Sequence, residues 1–250
     1  IFAPIFATFD PNTTDLLNIR TSPNKVHILG TDDLGRDIFS RLLYGGRVSI
    51  AVGVASMMLQ ILIGVTIGVI AGYFGGLIDK IIMRIVDIIM CFPFFVIAIA
   101  LAAVIGGSIT NLVLIIGMLM WPVITRIVRG EVLVTKQNEY ILAAKALGFN
   151  TFEIIIHHII PNIISAILVS STLCIAQGIL MEATLSFLGL GVNPPTPSWG
   201  NMLVAAQNMS VLSHKWWMWI PAGMSVVLIV LSVNFVGDGL RDALDVEKSV

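Results

Sequence analysis

Val48-Ser49-Ile50-Ala51-Val52-Gly53-Val54-Ala55-Ser56-Met57-Met58-Leu59-Gln60-Ile61-Leu62-Ile63-Gly64-Val65-Thr66-Ile67-Gly68-Val69-Ile70-Ala71-Gly72 carries no charged side chain, and only small polar residues and Gln60 interrupt its apolar character. A helix needs about 20 such residues to cross about 30 Å of hydrocarbon, so this stretch reads as a transmembrane helix. Outward from it the pattern repeats. Ile88–Gly106 is a second run, Asn111–Thr125 a shorter one interrupted by Trp121-Pro122, Ile163–Leu190 a long one, and Trp216–Val236 the last. The opening residues Ile1 to Ala7 are apolar but too few to span, and read as the end of a first transmembrane helix truncated in this sequence. The total is six spans in an all-α bundle.

Composition agrees. The 250 residues are 57% hydrophobic and 12% charged, with mean hydropathy +0.96; soluble domains carry about twice that charge. A net charge of −1 gives no electrostatic basis for binding nucleic acid. Cys91 and Cys174 lie in apolar runs without metal-ligand spacing and read as small hydrophobes.

The polar stretches divide the chain. Residues 1–9 end the first helix and residues 10–47 form an outer polar segment. Residues 48–236 form a five-span core, with a cytoplasmic loop at 126–162 and an outer loop at 191–215, and residues 237–250 form a cytoplasmic tail. Orientation follows the basic residues. Lys80, Arg84, Arg126, Arg129, Lys136, Lys145, Arg241 and Lys248 fall on one side; Arg20, Lys25, Arg36, Arg41, Arg47 and Lys215 fall on the other. The first set is placed in the cytoplasm, and Trp216, Trp217 and Trp219 then form an aromatic belt at the outer interface.

Within the cytoplasmic loop, Glu139-Tyr140-Ile141-Leu142-Ala143-Ala144-Lys145-Ala146-Leu147-Gly148 reads as a short helix with Gly148 as left-handed cap. A second helical stretch, Thr151 to Ile160, has Thr151 as its expected N-cap and stops at Pro161. Alone, this pair reads equally as an interfacial connector. Ala143, Ala144, Gly148 and Pro161, with thirteen residues from the glycine to the proline, resemble the signature loop of binding-protein-dependent ABC importer permeases. Leu142 stands where that signature has glutamate, and Glu139 lies one turn earlier.

Further stretches resemble the second, C-type permease of the dipeptide/oligopeptide/nickel branch: His27 to Ser49, Gly72-Tyr73-Phe74-Gly75-Gly76, Phe187-Leu188-Gly189-Leu190-Gly191, Pro197-Ser198-Trp199-Gly200 and Gly237-Asp238-Gly239-Leu240-Arg241-Asp242. The resemblance implies a six-transmembrane-helix ABC importer permease in the bacterial plasma membrane, paired with a second permease subunit. It implies two ATPase subunits that hold the ATP and Mg, none being held by this chain, and an extracytoplasmic solute-binding protein. It marks Glu139, Tyr140, Ala143, Ala144, Lys145, Gly148 and Pro161 as the ATPase-coupling residues. The implied cargo is di- or oligopeptide, with nickel or another small solute as the alternative.

Three other features carry readings of their own. Gly64, Gly68 and Gly72 share one helix face and permit close helix approach, within the bundle or against a partner permease. Glu182, the sole acid of its run, and Gln177 five residues before it are candidates for the translocation path or a gate; a satisfied structural hydrogen bond is the other reading of Glu182. Asp32, Asp33, Asp37, Arg36, Arg41 and Arg47 suggest a salt-bridged outer element, for binding-protein docking together with 191–215 or as a cap over the helices. Asp87 is expected to pair with Arg84 at i,i+3. No catalytic set, phosphate-binding loop or zinc motif occurs, and His157-His158 reads as structural. A self-contained secondary transporter is the rival class, but it needs more intramembrane charge than Glu182 alone.

Overall fold

The computed structural model describes residues 3–247. Eleven α-helices are named: α1 Ala3–Phe6, α2 Ile38–Phe74, α3 Gly76–Cys91, α4 Phe94–Ile105, α5 Ile109–Thr135, α6 Glu139–Ala146, α7 Thr151–Ile154, α8 Ile160–Phe187, α9 Trp199–Leu203, α10 Met209–His214 and α11 Ile220–Glu247. Short 3₁₀ turns join some of them, and a π-turn at Ile155–Ile159 joins α7 to α8. Among the described residues there is no strand, only an isolated bridge between Thr31 and Asp37. Four helices are long and apolar enough to cross a membrane, and five spans result if α3 and α4, bent by 79° at their junction, count as one. Ile1, Phe2 and Lys248 lie outside the described residues.

Four of the five later expected spans coincide with long apolar helices whose ends move, whereas the expected span Ile88–Gly106 is broken by the 79° bend between α3 and α4. Polar residues that read as loop are instead paired within helices. α2 starts at Ile38, nine residues before the polar segment was expected to end, because Asp37 caps it: its carboxylate accepts from the Ser40 amide at 2.8 Å. At 37 residues the helix is about 55 Å long, well beyond the hydrocarbon thickness. α5 runs through Trp121-Pro122 and on to Thr135. Arg126 and Arg129 fall inside it because Asp87 and Asp79 of α3 neutralise them. Asp87 therefore pairs with Arg126, not with Arg84. The expected loop 126–162 contracts to the stretch between Thr135 and Thr151.

Pro161 does not end a helix either. The chain is helical from Thr151 to Phe187, and the wider π-turn falls just before the proline, where an N–H is missing. Asn150, not Thr151, is the N-cap: its side chain accepts from the Glu153 amide while the Glu153 carboxylate accepts from the Asn150 amide, a reciprocal capping box. The expected tail from residue 237 is the continuation of α11 to Glu247.

The described chain forms two compact units. One gathers the polar N-terminal segment, the start of α2, the end of α8 and α9 through the first part of α11. Its core contains Ile38, Ile179, Trp199, Met202, Met218 and Ala222, with Trp217 and Trp219 packed against it. The other gathers the second half of α2, α3, most of α5, α6, α7 and the first half of α8. Its core contains Val69, Ile124, Val128, Val132, Ile141, Ala144, Ile154 and Ile159.

Candidate functional site

Gly64, Gly68 and Gly72 face α5 in register with Ile124, Val128 and Val132. A β-carbon on each glycine would lie 2.6, 2.8 and 2.7 Å from the β-carbon of its partner. No real side chain fits there, so the three glycines let α2 and α5 pack backbone against side chain within the second unit. At the end of this seam, Lys136 donates through Nζ to the Gly72 carbonyl at 2.7 Å and satisfies a helix-terminal acceptor. Gly75 and Gly76, both with positive φ, turn the chain into α3. Three residues later Asp79 receives both Nε and Nη2 of Arg129 at 2.5 Å, the fork geometry that makes arginine–carboxylate pairs directional.

α6 is attached to this elbow. Its Ile141 and Ala144 are buried in the same cluster as Val69, Val132 and Ile154, and Lys145 Nζ lies 5.1 Å from the centre of the Tyr73 ring, within cation–π range. Glu139 in the first turn and Lys145 in the last complement the helix dipole. Gly148, φ +86°, ends the helix. The Gly148 amide donates to the Lys145 carbonyl and the Phe149 amide to that of Ala144, a Schellman closure.

The two alanines expected to seat a partner together point opposite ways. Ala143 is exposed, whereas Ala144 is small because it packs on the core. The outward surface is instead apolar and bulky: Leu147 is 78% exposed, Phe152 71%, and Leu142, Phe149 and Tyr140 are also exposed. Sequence reasoning read Leu147 only as part of the Glu139–Gly148 helix and passed over Phe149 and Phe152; the signal was large apolar residues on both sides of a glycine turn in a short loop. Exposed apolar patches of this kind are characteristic of protein- or membrane-contact surfaces. Pro161 is exposed and sits in the first turn of α8.

Glu182 and Gln177 are not brought together. Gln177 is exposed on α8, and Glu182 is fully enclosed. The Glu182 carboxylate accepts hydrogen bonds from Ser49 and Ser186, each at 2.7 Å, and Ser49 Oγ in turn accepts from the Trp199 amide. α2, α8 and the start of α9 thus meet on one acid. Gly45 and Gly46 touch Ser198 and Trp199, and Gly200 packs on Ala183 and Ser186, so two of the sequence motifs close on the same point.

The polar N-terminal segment and the loop after α8 share one cavity of about 520 Å³, lined by Asp32, Asp33, Arg36, Arg41, Asn201 and Met218 among others. Asp32 pairs with Arg36 at 2.7 Å and faces Arg41 at 3.6 Å; Arg20 pairs with Asp33, and His27 with Asp37. Gly35, at positive φ, is pressed against the Asp15 carbonyl, where no β-carbon fits. The segment is folded, not a loose linker. Among the described residues no group of three or more histidine, cysteine or acidic side chains could hold a metal ion.

Comparison with known proteins fits this architecture. Residues 64–248 match the family described as binding-protein-dependent transport system inner membrane component. An oligopeptide transport system permease protein of Bacillus subtilis is 45% identical over 98% of this chain and 80% of its own length. A glutathione transport system permease protein of Shigella flexneri is 44% identical over the same shares. Among solved structures, the MetNI methionine ABC transporter in an inward-facing conformation superposes with TM-score 0.66 at 17% identity, over 81% of this chain and 95% of that one. That likeness bears on the fold, whereas the family match and the close relatives bear on kinship. With its apolar spans, its folded polar segment and its short helix ending at Gly148, the chain belongs to the binding-protein-dependent transport system inner membrane components, as a multi-pass permease subunit of an ABC importer.

Proposed function

We propose that this permease imports di- or oligopeptides across a bacterial plasma membrane, as one half of a pore completed by a second permease subunit. Two ATPase subunits bind the cytoplasmic faces and hold ATP and Mg, and an extracytoplasmic binding protein delivers cargo to the surface shared by residues 31–47 and 191–215. The relatives named for oligopeptide and glutathione transport support the peptide reading; nickel or another small solute remains the alternative cargo.

The observation that carries the mechanism is the contrast between the two faces of α6. One face is bound into the α2–α5 seam, and the other presents Leu142, Leu147 and Phe152 to solvent. An ATPase groove closing on the exposed face moves α6. Because Ile141 and Ala144 are packed, and Lys136 and Arg129 grip the elbow of α2 and α3, the displacement passes into the long helices as a body and not as loop flexing. The two-glycine elbow, Gly75-Gly76, absorbs the change in backbone angle. Nucleotide binding then switches the cavity between inward- and outward-facing, and hydrolysis resets it.

The test is reconstitution of the chain with its permease, ATPase and binding-protein partners in nanodiscs, with Gly148→Trp as the variant. Binding-protein-stimulated ATP hydrolysis is expected in the wild type and lost in the variant. A fully stimulated variant means that this loop does not seat the ATPase. A wild-type chain that never assembles with an ATPase removes the importer mechanism.

A further inference from the structure

α3 carries three different faces. One is docked: Val86 is the only buried residue of the helix, and Asp79 and Asp87 are taken by Arg129 and Arg126 of α5. Beside it Lys80 and Arg84, one turn apart, are exposed, and among the described residues neither has a hydrogen-bond or ion-pair partner. The third face is Leu77, Ile81, Ile85 and Ile88, at helical spacing and all exposed. The acids of α3 are thus spent on protein, whereas its bases border an uncovered apolar stripe.

The helix is also set across α5 and not along it. From Asp79 to Asp87 it advances about 12 Å, while the partners on α5, Arg129 and Arg126, lie only about 4.5 Å apart along that helix. It then meets α4 at 79°. Arg126 and Arg129 follow directly on the uncharged run Asn111–Thr125 of α5, so α3 crosses where hydrocarbon gives way to headgroups. An exposed apolar face edged by basic side chains is the pattern of a helix at a bilayer interface, where aliphatic stems cover apolar surface and cationic heads reach phosphate.

We propose that α3 is an interfacial helix that binds anionic phospholipid in the leaflet on the α6 side of the membrane. Lys80 and Arg84 hold the headgroup phosphate, and Leu77, Ile81, Ile85 and Ile88 lie against the acyl chains. Charge complementarity selects this occupant: phosphatidylglycerol offers the two cations a phosphate alone, whereas a choline headgroup adds a like charge beside it. Lys80 lies just beyond the Gly75-Gly76 elbow, so bound lipid gives α3 a footing while α6 moves. That consequence rests on the coupling reading above; the site itself does not.

The assembled transporter, with cysteine-free partner subunits, is placed in nanodiscs of phosphatidylcholine with a minor share of phosphatidylglycerol. A nitroxide is attached at Ile81→Cys or Ile85→Cys in a Cys91→Ser background. Relaxation by dissolved oxygen is expected to exceed that by a water-soluble nickel chelate. Weak relaxation by both means that a protein surface, such as the second permease, covers the face; dominant relaxation by the chelate means that it stands in water. Either result overturns the proposal. In a second arm, phosphatidylglycerol retained per transporter after purification from the mixed bilayer is counted by mass spectrometry. The wild type is expected to be enriched several-fold over the bulk ratio, Lys80→Gln with Arg84→Gln to lose most of that enrichment, and Lys80→Arg with Arg84→Lys to keep it. Equal enrichment in all three overturns the site. The nitroxide arm leaves both bases in place, so it decides the matter even if the neutral pair fails to fold. A transporter that passes both arms but takes up no peptide supports the site and refutes only the cargo reading.

Discussion

The seam between α2 and α5 and the junction around Glu182 both press glycine against a neighbouring element, yet they hold in opposite ways. In the seam, Gly64, Gly68 and Gly72 receive the β-branched side chains of Ile124 and Val128 and of Val132, and the bond strength is dispersion over a tight apolar contact. At the junction, Gly45, Gly46 and Gly200 clear space so that one acid can take hydrogen bonds from two serines that sit on different helices. The seam tolerates no added volume; the junction tolerates no lost acceptor. The difference teaches that small residues in a membrane bundle serve shape in one place and polar satisfaction in another, and that the glycine alone does not say which.

Variants ordered by their expected effect on the folded chain sharpen that contrast. Gly68→Leu should be the most damaging: its side chain would collide with Val128, and overpacking costs about 1–3 kcal/mol, occasionally more. Thermal unfolding in detergent should show a markedly lowered midpoint or no folded chain at all, and a near-normal midpoint would mean that α2 and α5 can separate freely. Next comes the clasp. Arg129→Asp alone leaves two acids face to face and should cost about 1–3 kcal/mol, since the pair is only partly buried. The exchange Asp79→Arg with Arg129→Asp should restore much of that stability, and no recovery in the double variant would show that the pair is incidental.

Glu182→Gln should destabilise by about 1–2 kcal/mol, because the two serines donate to different carboxylate oxygens and the amide puts an NH2 donor in place of one of them. Ser49→Ala combined with it should add less than the sum of the two, since they share one network. Additive losses would instead separate Ser49 from the acid. Leu147→Asp should change stability least, within about 0.5 kcal/mol, because the side chain touches solvent. The same variant should abolish ATPase docking in a pull-down, and retention of docking would detach the apolar rim of α6 from the coupling surface.

How far each region could be read beforehand follows from the same physics. The seam was legible because its glycines repeat every four residues on one helix, so a local period exposes the face. Its partner was not, because nothing local says that Ile124, Val128 and Val132 lie at the matching level. The Glu182 junction was opaque: Ser49, the Glu182–Ser186 pair and Trp199 come from three separate stretches, and both a gate and a satisfied hydrogen bond were consistent with an acid in an apolar run. In α6 the glycine cap was readable from composition, but the opposite facing of Ala143 and Ala144 depends on which side the core lies.

What the sequence by itself determined is the class and the kinship, since apolar run length and motif spacing are local quantities. Only the tertiary structure decided where the helices end and which charges are held. Arg126, Arg129 and Lys136 look like a cytoplasmic loop until Asp87, Asp79 and the Gly72 carbonyl reach them. An ion pair or a terminal carbonyl from a distant element removes the cost of placing charge on a helix, and that partner is a property of the packing, not of the residues beside the charge.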